Sequence, residues 1–326
     1  MTDEAIDADV AEGPPPRGRG REVAPGYRLM GLLNRSRHLD VHDAWSEERA
    51  TRCVIKLARP DRVGDAKVAR RLRAESRLLQ RFSHPHIVRA YPAPGATEAL
   101  VVTETLTGST LGHLLATTPR RLGAAEIAHL GMHLGAAISY LHRHGWLHLD
   151  LKPGNIVAEA GRAKVIDLSI ARRPGRVRAG VGTFHYMAPE QARGGVVGPA
   201  ADIWGLGVVL HEAAAGEPAF DDPTVDDPDG GSGSTGGGSG YASSVADGSA
   251  TDDTPPPQLG DPAAPLRRHR RGLPADLTAL VDACLDRDPA RRPEVGTVLR
   301  TLERVAGVPE VHRLHGPLGP SGARPA

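Results

Sequence analysis

Lysine is the residue this chain nearly does without. Four of its 40 basic residues are lysine (Lys56, Lys67, Lys152 and Lys164) and the rest are arginine. An ammonium is a compact point charge and a guanidinium a broad planar fork, so a retained lysine marks a place with geometry for the former. Cysteine is scarcer still. Cys53 and Cys284 are far apart and lack metal-ligand spacing. That argues against a disulfide framework or a zinc site and for a reduced, cytoplasmic chain. No apolar run approaches the roughly 18 residues of a transmembrane helix. The chain opens Met1-Thr2-Asp3-Glu4, acidic where a signal peptide is basic, so no membrane insertion is expected. The net charge of +1 leaves no global bias toward nucleic acid.

What is present suits a folded protein of two lobes: 326 residues, 40% hydrophobic and 24% charged. Residues 1–24 read as a disordered tail, acidic first and then the Pro/Gly/Arg run Gly13–Arg21. Residues 221–262, dominated by Asp, Gly, Ser and Pro, read as a flexible insert, and residues 307–326 as a second loose tail. The folded unit is therefore 25–306. Residues 25–104 are strand-rich, with Val41–Trp45 and Arg52–Leu57 as strands about the turn Ser46–Arg49. A helix over Asp65–Arg81 carries Val68, Leu72 and Leu79 on one face, with Glu75 in the same stripe. Residues 105–108 form a hinge, and 109–306 are mainly helical, beginning with a helix over Ala124–His144 that Gly145 stops.

The stretch His148–Asn155 places an acid, an amine and a carboxamide on a segment that Pro153 and Gly154 keep from being helical. A polar surface loop is the bland account. The chemical one is phosphoryl transfer: Asp150 to orient a hydroxyl, Lys152 to neutralise a moving phosphoryl group, Asn155 to hold a metal. Lys56 sits inside an apolar strand, where it either snorkels to an edge or pairs with a carboxylate, for which Glu75 is the candidate. Asp167 ends the short strand Lys164-Val165-Ile166 beside a loop, a good position for a metal-binding carboxylate.

Taken in order, Val54-Ile55-Lys56, Glu75, His148–Asn155, Asp167-Leu168-Ser169, Ala188-Pro189-Glu190, Asp202 with Trp204 and Gly205, and Arg292 resemble the motif series of the eukaryotic-like Ser/Thr protein kinases of bacteria. The resemblance runs from about Tyr27 to Val305. It implies an α+β, two-lobed protein-kinase-like fold with a small β-rich N-lobe and a larger helical C-lobe. It implies ATP and Mg²⁺ as cofactors and a protein substrate presenting Ser or Thr. Lys56, steered by Glu75, would hold the α- and β-phosphates; Asp150 would accept the substrate proton; Lys152 would meet the γ-phosphate; Asn155 and Asp167 would hold Mg²⁺. By the same resemblance Thr183 bonds Asp150 and Lys152, the backbone of Glu104 and Leu106 meets the adenine edge, and Val41, Val54 and Val157 cover its faces. Leu79, His148 and Leu168 would stack as a spine above Asp202, and Glu190 would pair with Arg292.

Three departures from the family pattern stand out. Asn34, Ser36 and Leu39 replace the phosphate-loop glycines. Losing one charge-assisted hydrogen bond of about 1.5–3 kcal/mol there would weaken ATP binding roughly tenfold or more, with Arg35, Arg37 and His38 as candidate compensating cations. Leu149 follows His148 where Arg is common, and Ile170–Val181 contains no Ser, Thr or Tyr, so switching by phosphorylation of that segment is not expected. Ser169 replaces the glycine after the metal-binding Asp. Two alternatives remain open on sequence: a pseudokinase acting as a nucleotide-binding or scaffolding module, and a small-molecule phosphotransferase.

Overall fold

The computed structural model describes residues 13–118, 120–220 and 256–308. Strands β1 (Glu22–Ala24), β2 (Tyr27–Arg35), β3 (Leu39–Ser46), β4 (Thr51–Ala58), β5 (Ala90–Tyr91) and β6 (Leu100–Glu104) form an antiparallel sheet in the order β1-β2-β3-β4-β6-β5. Side chains alternate across it, so Cys53, Ile55 and Leu57 of β4 enter an apolar cluster with Tyr27, Leu29, Ala44 and Val102. Val54 and Lys56 take the opposite face, where Val41 stands directly across from Lys56.

Part of the stretch 1–24 that its composition marks as a tail is held in place. Residues 1–12 lie outside the described residues, but β1 pairs with β2, and Arg17 donates to Ala58 O and to Glu98 Oε2, both at 2.6 Å. Arg17 is itself nearly buried. A long-range ion pair anchors a stretch whose local composition alone would not fold.

Helix α1 (Ala66–Arg81) starts where Asp65 caps it, accepting from Lys67 N at 2.8 Å and Val68 N at 3.2 Å. Its buried face is Val68, Leu72, Glu75, Leu78 and Leu79. The chain then crosses the hinge at Gly108, where any Cβ would overlap Ala158 O.

The second lobe contains a small sheet, β7 (Ser109–Thr110), β8 (Ile156–Glu159) and β9 (Arg162–Val165), and helices α2 (Leu111–Thr117) and α3 (Ala124–Arg143). A hairpin-like pair, β10 (Gly175–Arg176) and β11 (Val196–Val197), brackets α4 (Pro189–Arg193). Helices α5 (Pro199–Ala215), α6 (Leu266–His269), α7 (Ala275–Cys284) and α8 (Val295–Ala306) complete it. Every residue of α5 from Ala201 to Ala215 is buried, which makes it the central strut of the lobe. Its Gly205 lets Leu151 of the His148–Asn155 loop approach so closely that an added Cβ would lie 3.1 Å from Leu151 Cβ.

Of the insert expected over residues 221–262, residues 221–255 lie outside the described residues. The rest departs from the expectation of a loose segment: Pro257–Leu259 form a single turn and Gln258 is fully buried. Of the expected C-terminal tail, residues 309–326 lie outside the described residues.

Candidate active site

Asp202, at the start of α5, organises the catalytic loop. Its carboxylate accepts from His148 N at 2.9 Å and Leu149 N at 2.7 Å and meets His142 Nε2 at 2.8 Å. His148 is buried, and burial lowers its pKa below the usual imidazole value. Leu149 takes a left-handed backbone conformation, φ 66°, unusual for a branched residue. Its amide is held by Asp202 and its carbonyl by Gln191 Nε2 at 2.9 Å, while its side chain joins Val177, Val197 and Trp204 in an apolar cluster. An arginine at this position would bury its charge there; leucine packs.

The next residues converge. Asp150 Oδ1 accepts from Thr183 Oγ1 at 2.6 Å and from Thr183 N at 3.0 Å. Lys152 Nζ donates to Thr183 Oγ1 at 2.7 Å and lies 3.6 Å from Asp150 Oδ2. Asn155 Nδ2 donates to Asp150 Oδ2 and to Asp150 O, each at 3.0 Å. Both Nδ2 bonds going to Asp150 leave Asn155 Oδ1 as the amide's acceptor.

Across the cleft, Lys56 Nζ lies 3.0 Å from both carboxylate oxygens of Glu75 and 2.8 Å from Asp167 Oδ2. Burial alone would lower the lysine pKa, but Asp167 and Glu75 outweigh it and raise it above the usual ammonium value. Burial pushes Glu75 up to about 7 against the pull of Lys56. Asp167 is held below the ordinary carboxylate range: burial acts against this, and Lys56 with the Ser169 amide overrides it. Asp167 and Asn155 offer hard oxygens, the donor type that suits Mg²⁺. Among the described residues no cluster of three or more His, Cys, Asp or Glu side chains forms a cage. A metal here would therefore complete its shell from phosphate and water, as Mg²⁺ commonly does.

Val41 and Val54 are half-buried and Val157 is buried, and none of them belongs to the three apolar clusters. Leu106 packs on the edge of the main core. The Glu104 side chain turns to Lys164 at 2.7 Å and to Arg89 N at 2.9 Å, which gives a third lysine of the four its place. Leu79 and Leu168 share one apolar cluster, and Glu190 and Arg292 form a bidentate pair at 2.7 and 2.9 Å.

The phosphate loop is a closed hairpin. Ser36 Oγ accepts from Leu39 N at 3.2 Å, and Ser36 N donates to Leu39 O at 2.8 Å. Of the candidate compensating cations Arg35, Arg37 and His38, Arg35 is already engaged: it forks onto the buried Asp40 at 2.7 and 3.0 Å and donates to Pro14 O at 2.9 Å.

Two carboxamides that the sequence does not single out join the site. Gln191, buried, donates to Leu149 O and to Val181 O (2.7 Å) and accepts from Ala188 N at 3.0 Å. Gln258 donates to Phe184 O at 2.7 Å and Met187 O at 3.0 Å, tying down the loop that follows Thr183. The signal for Gln258 is a lone amide beside prolines at the end of a polar run, and composition hides it.

This lobe arrangement and site define a protein kinase. The chain matches the family model described as protein kinase domain over residues 40–302, and it belongs to that family. It is 30% identical over 291 residues to the serine/threonine-protein kinase PknB of Mycobacterium tuberculosis, covering 84% of this chain and 42% of that protein. It is 29% identical over 286 residues to the serine/threonine-protein kinases drp72 of Corynebacterium efficiens, covering 83% of this chain and 48% of that protein. The chain thus spans less than half the length of these curated relatives. The crystal structure of a point mutant of the Mycobacterium tuberculosis PknI kinase domain shares the fold with a TM-score of 0.64 at 21% identity, covering 89% of this chain and 99% of that one.

Proposed function

We propose that the protein is a Ser/Thr protein kinase that moves the γ-phosphoryl group of ATP to a protein hydroxyl. The observation that carries this reading is the joint assembly of Asp150, Thr183, Lys152 and Asn155 opposite an engaged Lys56–Glu75–Asp167 triad. In the reaction the substrate oxygen bonds to the γ-phosphorus as the bond to the bridging β,γ-oxygen breaks, releasing ADP. Asp150 takes the hydroxyl proton. Its Oδ1 is occupied by Thr183, so Oδ2, which accepts one bond from Asn155, keeps the lone pair for it. Lys152, linked through Thr183 to the same carboxylate, offsets negative charge on the moving group. Lys56 orients the α- and β-phosphates, and Glu75 orients Lys56. Asp167 and Asn155 would hold Mg²⁺, which supplies charge neutralisation when bound.

The names of the relatives point to protein Ser/Thr as acceptor. Among the described residues no helix is long and apolar enough to cross a membrane. Two buried free thiols, Cys53 and Cys284, fit action in the reducing cytoplasm. The second reading, a pseudokinase acting as a nucleotide-binding or scaffolding module, has only the glycine-poor Ser36 hairpin behind it. Labelled ATP with a generic protein substrate separates the two. Transfer by the wild-type chain and none by Asp150→Asn is expected; equal signal from both would sink the kinase reading.

A further inference from the structure

The chain is nearly neutral overall, yet one surface is not. From Leu168 to Pro189 the sequence contains four arginines, Arg172, Arg173, Arg176 and Arg178, and no acid. Arg193 extends the run at the end of α4, and the intervening Glu190 is consumed by the bidentate pair with Arg292. All five arginines are exposed. Arg173 is occupied, donating to His144 O at 2.9 Å and Gly145 O at 3.2 Å with its guanidinium 5.1 Å from the Trp146 ring centre. Among the described residues Arg172, Arg176, Arg178 and Arg193 have no carboxylate partner.

Local geometry gathers three of them. Val177 is buried, so in extended backbone its neighbours Arg176 and Arg178 project together to the outside. Arg176 pairs with Val196 in the β10–β11 ladder. Gly194, the residue after Arg193, lies against the backbone of Arg178 and Ala179, closely enough that a Cβ would meet Ala179 N at 2.6 Å. Arg176, Arg178 and Arg193 thus form one cationic patch. Five residues beyond Arg178 is Thr183, bonded to Asp150.

A phosphate within this segment is not what the patch awaits, because Ile170–Val181 contains no hydroxyl side chain and Leu149 fills the place beneath with apolar contacts. Nucleic acid also suits a basic patch, but this one continues directly into the segment that positions the phosphoryl acceptor. We propose that the patch selects acidic protein substrates, with Asp or Glu flanking the accepting Ser or Thr; this rests on the kinase reading above. Five extended residues span at most about 17 Å, which puts the selecting acids within about five residues of the acceptor. Exposed ion pairs are weak, each a factor of about two to five, so three together give roughly tenfold or more.

The test uses the full chain with Mg-ATP and three peptides identical but for Glu, Ala or Arg around one Thr. The Glu peptide should exceed the Ala peptide about tenfold in kcat/KM, with the Arg peptide lowest, and the spread should shrink as salt rises. The combined variant Arg176→Glu, Arg178→Glu, Arg193→Glu should reverse the order. Equal rates for the three peptides, or an order the triple variant leaves unchanged, would overturn the proposal while leaving the kinase reading intact. If wild type and Asp150→Asn fail alike on all peptides, the kinase reading falls. Fluorescence anisotropy of the same peptides on Asp150→Asn protein then decides the patch: equal binding of Glu and Arg peptides overturns it. Tighter binding by a single-stranded oligonucleotide of matched charge, lost in the triple variant, also overturns it, in favour of a nucleic-acid partner.

Discussion

The two sides of the candidate site, around Lys56 and around Thr183, are built from different forces. The first is an ionic cluster: one ammonium, Lys56, shared by the buried Glu75 and the half-buried Asp167. The second is held by neutral carboxamides, Gln191 and Gln258, by the hydroxyl of Thr183, and by apolar packing around Leu149. Charge removed from the first leaves like charges facing each other in a poorly solvated place. Removing an amide from the second leaves carbonyls that a shifted loop can turn to water. The first region should therefore fail abruptly and the second by degrees.

The largest expected effect is at the point where the two sides meet. Asp150→Asn removes the proton acceptor, and single-turnover phosphate transfer should fall by about 10³ or more, general acid–base catalysis alone contributing about 10²–10⁴. ATP affinity should hardly move; a parallel loss of ATP affinity would show that the two sides are not separable.

Next is Lys56→Met, which strands two carboxylates. Breaking a buried pair costs about 3–5 kcal/mol, so both ATP affinity and thermal midpoint should drop, as calorimetry would show. The double change Lys56→Met with Glu75→Gln should recover part of the midpoint but none of the affinity. A midpoint unchanged in the single variant would contradict an ionic cradle.

Gln258→Met keeps the volume and deletes both donors. Two neutral hydrogen bonds of about 1 kcal/mol each, partly replaced by water, predict a peptide KM raised about tenfold with ATP KM constant. Gln258→Glu should be worse, since it presents a carboxylate to Phe184 O and Met187 O. If Gln258→Met lowers only stability and both KM values stay put, the residue is part of the core and not of the platform. Smaller still, Asn34→Gly with Ser36→Gly should open the hairpin tip that Ser36 closes and lower ATP KM several-fold.

A control outside both regions is the ring of His133, stacked on His86 with centroids 4.2 Å apart. Burial first, then His86, His129 and Arg162, lower its pKa from 6.5 to about 4. The unfolded chain takes up this proton near pH 6.5 and the folded chain only near 4. Its stabilising share is therefore whole above 6.5 and is lost as pH falls toward 4. Thermal midpoints of His133→Gln across that range should fall less steeply than wild type. Acid loss of activity that tracks this curve says nothing about either side of the cleft.

How much of this could be read from the chain follows from distance along it. The candidate octet was legible because Asp150, Lys152 and Asn155 are placed by covalent spacing, and Glu75 because its stripe on α1 is buried. Val54 and Lys56 share a strand face by simple alternation. What escaped is non-local. Arg17 is fixed by Glu98, 81 residues away, and Gln258 by carbonyls 74 and 71 residues away, so composition judged both stretches loose. Arg35 escaped for another reason: Asp40 lies opposite it in register and absorbs its charge before any ligand arrives.

The two peptide groups that flank Leu149 have a consequence for timing. Leu149 N is fastened to the central helix through Asp202 and Leu149 O to α4 through Gln191, and Asp150 is the next residue along. On the kinase reading, any tilt of α4 as a substrate settles would be handed through the Leu149–Asp150 amide plane to the proposed base, gearing the seating of the acceptor to the aiming of Asp150.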